Sequence, residues 1–143
     1  MNLFTIGFSK KNAENFFKIL KSNSVVRLID IRLNNKSQLA GFTNVKHLPY
    51  FLNIHDIDYL YRPDLSPSKE LLDGYKKKKV SWNEYEIEYN KILERRKILK
   101  EIDWNLFENS VLLCSEPKPE QCHRRLLAEY LVKNNSDFKI KHL

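Results

Sequence analysis

Apolar residues fall along this chain in two alternating rhythms. Short, nearly continuous apolar runs at 3–6 (LFTI), 25–31 (VVRLIDI) and 111–114 (VLLC) read as buried strands, with a further short strand at 58–61 (DYLY). Between them the apolar positions recur every three or four residues, the spacing that lines one face of a helix. Ala13, Phe16, Phe17 and Leu20 follow Asn12, whose side chain suits a helix N-cap. The segment 45–54 (VKHLPYFLNI) predicts a short helical turn broken near Pro49, and 62–68 (RPDLSPS) predicts a loop. Residues 82–102 carry the longest helical pattern, with Tyr85, Tyr89, Ile92 and Leu99 on one side and Glu, Lys and Arg on the other, as in a solvated covering helix. Pro119 suits the first position of a helix running on through Val132, and 138–142 can form a last strand.

Strands alternating with helices are the pattern of a parallel sheet covered on both faces. The expected fold is α/β: a single three-layer domain over residues 1–143, with a mostly parallel sheet of about four to five strands flanked by helices. A chain of 143 residues, 42% hydrophobic and 12% aromatic, can fill one core without metal or disulfides. There is no internal repeat. Three glycines leave no room for a phosphate loop, and neither GxGxxG nor the P-loop pattern occurs, so no dinucleotide or nucleoside triphosphate cofactor is expected.

Charge changes the picture modestly. A formal net charge of +7 attracts polyanions, so a small phosphorylated ligand or nucleic acid is the expected partner class. Lysine outnumbers arginine 18 to 7, however, and composition bias would give the same excess with no binding role. The KKKK at 76–79 reads first as a solvated loop or helix end. No run is apolar enough to span a membrane, and the N-terminus lacks the order of a signal peptide, which predicts a cytoplasmic protein with no membrane partner. Cys114 and Cys122 are then expected to be free thiols, although their separation permits a bridge. The oligomeric state is left open.

In a parallel α/β sheet the ligand crevice lies beyond the carboxyl ends of the strands. The first strand leaves through Gly7, Phe8 and Ser9, the second through Asp30, Ile31 and Arg32, and the fourth through Cys114, Ser115 and Glu116. Cys122, His123 and Arg124 lie at the start of the following helix, so three separate parts of the sequence converge on one edge.

The segments TIGFS (5–9), IDIR (29–32), GF (41–42), LLCSE (112–116), CHRRLLAEYL (122–131) and the final KHL resemble the domain of unknown function family numbered 488 (DUF488) over essentially the whole chain. The resemblance implies an α/β fold and assigns no general activity. The chain departs from the family where Ser37-Gln38 stands in place of Ser-Arg before the GF. If that arginine binds an anion, its charge is missing here or comes from another residue.

Cys122 is the sharpest candidate for chemistry. Helix-terminal N–H groups, Arg124, Arg125 and a protonated His123 would each favour its thiolate, making it a nucleophile. The alternative is a small buried residue that packs the helix on the sheet. Glu116 and His123 are candidate acid–base groups, and Ser9, Asp30, Arg32, Ser37 and Arg124 are candidate ligand-binding residues, with Arg32 and Arg124 as an anion clamp. A buried Asp–Arg–His network that merely ties strands together would use the same residue types. Cysteine-phosphatase and rhodanese-like spacing is absent, since Glu120 and Ala128 stand where an arginine six positions after each cysteine is needed. Cys114, Cys122 and His123 give three ligands at best, one short of a structural zinc site, so no metal is expected. The reading is a domain that binds an anionic ligand, a nucleotide or nucleic-acid phosphate, and is a hydrolase or group transferase if it is an enzyme. A non-catalytic nucleic-acid-binding module and a redox-sensing dithiol protein are the rivals.

Overall fold

The computed structural model describes residues 1–36, 41–115 and 120–143. Strands β1 (Asn2–Gly7), β2 (Arg27–Asp30), β3 (Asp58–Tyr61), β4 (Ser110–Cys114) and β5 (Lys139–His142) form one sheet. Their order is β3-β2-β4-β1-β5 and every pairing is parallel. Parallel neighbours need crossovers. These carry helices α1 (Ala13–Ser22), α2 (Leu48–Ile54), α3 (Lys69–Lys76), α4 (Trp82–Arg95), α5 (Ile98–Glu101) and α6 (His123–Asn134).

The two faces of the sheet are covered by different helices, because strand side chains alternate. Leu3, Ile29 and Leu112 point into one core with Tyr85, Tyr89 and Leu93 of α4 and Leu126, Leu127 and Leu131 of α6. Phe4, Leu28, Val111 and Leu113 point into the other, under Phe16, Phe17 and Leu20 of α1 and Leu48 and Leu52 of α2. The α/β domain with a parallel sheet is therefore present, with five strands and six helices among the described residues.

Local expectations fare unevenly. Asn12 caps α1 by accepting from the Asn15 amide, and β3 has the expected bounds. Pro49 opens α2 instead of breaking it, since the first turn of a helix needs no N–H there. The pattern over 82–102 is divided: α4 ends at Arg95, and Lys97 takes a left-handed conformation (φ 53°) before α5. The segment 62–68 contains a 3₁₀ turn, Pro63–Leu65, and ends in Ser68, which caps the unanticipated α3 by accepting from the Leu71 amide. The last helix begins at His123, four residues later than expected, with Cys122 extended at its N-cap; Pro119 lies outside the described residues. Among the described residues, no helix is long and apolar enough to cross a membrane.

The α1 face depends on aromatic packing. Phe16 is fully buried and its ring meets Phe17 and Phe42 at centroid distances of 5.2 and 5.4 Å. Phe16→Ala is expected to cost about 3–5 kcal/mol in urea unfolding, since the surrounding rings cannot collapse into the space.

Candidate functional site

Three strand exits meet at the carboxyl edge and are tied to one another there. The Phe8 amide donates to the Cys114 carbonyl (3.3 Å) and the Ser9 amide to the Ser115 carbonyl (3.0 Å), which hold the ends of β1 and β4 together. Asp30, the last residue of β2, is wholly buried. Arg32 closes on it in a fork, Nε donating to Oδ1 and Nη2 to Oδ2, both at 2.8 Å. The Arg32 amide adds a bond to Oδ1 (3.2 Å), the Tyr59 hydroxyl donates to Oδ2 (2.7 Å), and Arg32 Nη2 also donates to the Thr43 carbonyl (2.7 Å). Burial, then the bond to Asp30, holds the Tyr59 phenol well above its ordinary range, so this donor keeps its proton.

This arrangement leaves one donor over. Arg32 Nη1 is buried and has no hydrogen-bond partner among the described residues. An orphan guanidinium nitrogen is uncommon in folded proteins and calls for an explanation. Arg32 and Phe8, whose ring lies 5.4 Å from the Arg32 guanidinium carbon, are both part of the wall of a cleft of about 1580 Å³.

Ser9, Cys122 and His123 line the same cleft. Its rim carries Lys10, Lys11, Lys69, Lys76, Lys78 and Lys79 against Asp73 and Glu84, so cations predominate. One side is aromatic: Trp82 and Tyr85 stack at 5.0 Å and 17°, and Tyr75 lies 5.5 Å from Trp82. The Tyr75 hydroxyl donates to Gln121 Oε1 (2.8 Å), and the Arg125 guanidinium sits 5.9 Å from the Trp82 ring, which join α3 and α4 to the start of α6. A smaller depression of about 620 Å³ lies between α4 and α6 and is lined by Glu86, Glu94, Lys97, Lys100 and Glu129 among others; it holds none of the predicted residues.

The cysteines depart from expectation. Cys114 and Cys122 form a disulfide, and neither is free: the N-cap of α6 lies against the end of β4. Arg124 is fully buried behind them, with Nε donating to Thr5 Oγ1 (3.3 Å) and Nη1 to Cys114 Sγ (3.4 Å). It is absent from the cleft wall, and the buried partner of Asp30 is Arg32. The edge thus brings together Ser9, Arg32, Cys122 and His123, with Asp30 behind as the group that orients Arg32. Glu116 and Ser37 lie outside the described residues.

A match to the family model described as "Domain of unknown function DUF488" covers residues 12–131. The chain belongs to that family. No curated protein matches the chain, and no solved structure does. The DUF488 match spans β2, β3, β4, α1 to α5 and most of α6, and with them Arg32, Tyr75, Trp82, Tyr85 and the Cys–His corner.

The rim of the cleft was not anticipated from sequence. Its signal was Ser68 followed by Leu71, Leu72 and Tyr75, a cap and an apolar stripe that make α3 and carry the lysine run to the cleft.

His123 sits at the junction. Its Nε2 meets the Ile31 carbonyl at 3.1 Å, and since a carbonyl only accepts, Nε2 carries the proton. Burial pushes the imidazole down to about 4; Arg124 adds to this, while the Ile31 bond and Asp30 oppose it. The unfolded chain takes up this proton near the ordinary value of 6.5, whereas the folded one does so only near 4. The contribution to stability is therefore complete above about pH 6.5 and is lost as pH falls toward 4. Urea unfolding across this window should show a loss of a few kcal/mol that His123→Gln removes.

Proposed function

We propose that this DUF488 domain binds an anionic ligand, a nucleotide or nucleic-acid phosphate, in the cleft at the carboxyl edge of its sheet. The observation that carries the reading is the buried Arg32 Nη1 with no acceptor among the described residues. Asp30 neutralises the guanidinium through Nε and Nη2 and fixes its plane, so Nη1 is a preoriented donor on a rigid strand end. A phosphate oxygen at the cleft floor supplies the missing acceptor. The lysine rim attracts the anion, and the Tyr75–Trp82–Tyr85 side offers a surface on which a base stacks.

Hydrolysis or group transfer by the same corner requires Cys122 or Glu116 as nucleophile or base and His123 as proton donor. The disulfide occupies Cys122, and the neutral His123 already spends its N–H on Ile31. Both features favour binding over catalysis in the bridged protein. The bridge also supports the reading of Cys114 and Cys122 as a redox-sensing pair, which a diagonal gel after mild oxidation tests.

Thermal unfolding with inorganic phosphate or a nucleoside monophosphate tests the binding reading. Ligand at 100-fold its Kd should stabilise the domain by about 2.7 kcal/mol, a rise of several degrees. Arg32→Lys keeps a cation beside Asp30 but loses the Nη1 donor, and should lose most of the shift with either ligand. Trp82→Ala should weaken the nucleotide while leaving phosphate nearly unchanged. An undiminished shift in Arg32→Lys, or none in the parent protein at millimolar ligand, contradicts the reading.

A further inference from the structure

The corner where β4 meets α6 gathers three metal-ligating side chains that anion binding does not use. The sulfurs of Cys114 and Cys122 and a ring nitrogen of His123 all lie within 4.8 Å of one another, and all three residues are buried. They come from two elements fixed by the sheet and by a helix start, so the cluster is held by the fold and not by a loose loop.

We propose that reduction of the bridge converts this corner into a three-ligand site for a zinc-class divalent ion, held by Cys114, Cys122 and His123, with its fourth position open to the cleft. The chemistry of the donors fits. Two thiolates and an imidazole with one exchangeable position form a recognised zinc donor set. The Cα atoms of the cysteines stand 7.5 Å apart, wider than the usual 4.4–6.8 Å of bridged pairs, so the reduced side chains can separate around an ion without backbone motion. Nε2–H of His123 donates to the Ile31 carbonyl, leaving the lone pair on Nδ1; a hydrogen-bond acceptor on the second ring nitrogen, here a backbone carbonyl, is what orients metal-bound histidines. Arg124 Nη1 reaches Cys114 Sγ at 3.4 Å, an N–H···S bond that supports thiolate charge. Cys122 and His123 also line the cleft, which gives an ion its route in and gives its open position access to water or a cleft ligand.

The step balances as thiol–disulfide exchange followed by metalation. Two equivalents of an external thiol reduce Cys114–Cys122 to two thiols and leave as their own disulfide. The divalent ion then displaces one proton from each thiol, so two protons are released per ion bound.

The test uses the full chain, reduced with a phosphine, desalted without oxygen, and kept in a phosphate-free buffer so that anion binding plays no part. Titration with cobalt(II) should give one equivalent bound, with the intense d–d bands of a tetrahedral ion and a thiolate charge-transfer band, both erased by one equivalent of zinc(II). Alkylation of both cysteines should be blocked by zinc. Cys114→Ser, Cys122→Ser and His123→Gln should each weaken cobalt binding at least about tenfold. The oxidised protein should bind none. If the reduced chain, shown folded by circular dichroism, takes up no stoichiometric cobalt, or if zinc leaves the alkylation rates unchanged, the site does not exist. Equal binding by oxidised protein or by Cys122→Ser places the ion elsewhere and also overturns the proposal.

Discussion

Asp30 ends β2 with no contact with solvent, and a buried carboxylate is tolerated only where its charge and lone pairs are matched. Arg32 supplies the match from two residues on, with the Tyr59 hydroxyl completing the second oxygen. The same guanidinium donates to the Thr43 carbonyl, tying the end of β2 to residue 43. Two of the three guanidinium nitrogens are committed, and the third, buried in a residue that lines the cleft, has no partner among the described residues. Removing either partner strands a buried charge, a change that typically costs 3–5 kcal/mol. The same pair fixes the end of β2 and leaves Nη1 unbonded among the described residues.

The topology decides what surrounds that nitrogen. In the order β3-β2-β4-β1-β5, the edges of β2, β4 and β1 are adjacent, so Arg32, Cys114 and Ser9 gather although they are far apart in the chain. Helix α6 starts against the same edge and brings Cys122 and His123, while α3 and α4 close the far wall with lysines and stacked aromatic rings. Burial also sorts the two arginines that the sequence offered as a clamp. Arg32 reaches the cleft, whereas Arg124 is spent on Thr5 and Cys114 inside.

Much of this was legible in residue patterns. Apolar runs marked β1, β2 and β4 to within two residues of their ends, since strands buried on both faces of a parallel sheet need nearly continuous hydrophobicity. The meeting of Ser9, Arg32 and His123 followed from parallel topology alone. Partner choice was not legible: the pairing of Asp30 with Arg32 rests on side-chain geometry that no spacing encodes. The break at Lys97 was hidden because a lysine in the left-handed region leaves no mark on an amphipathic pattern. Helix α3 was missed because Ser68 was absorbed into a proline-rich loop, and with it went the cationic rim. The disulfide was allowed by spacing but disfavoured by compartment, an argument about surroundings and not about the chain.

The account rests on Arg32 Nη1 as the donor that meets the ligand. Side-chain NMR of guanidinium-labelled protein observes that nitrogen and its protons directly during a titration with inorganic phosphate. The account predicts saturable shifts in the Arg32 Nη1 resonance, slowed rotation of its amino group, and a through-bond coupling to phosphorus, with the Nε and Nη2 signals nearly still. Shifts confined to the lysine ammonium groups while Arg32 stays unchanged would contradict it, and would reduce the cleft to a diffuse cationic surface.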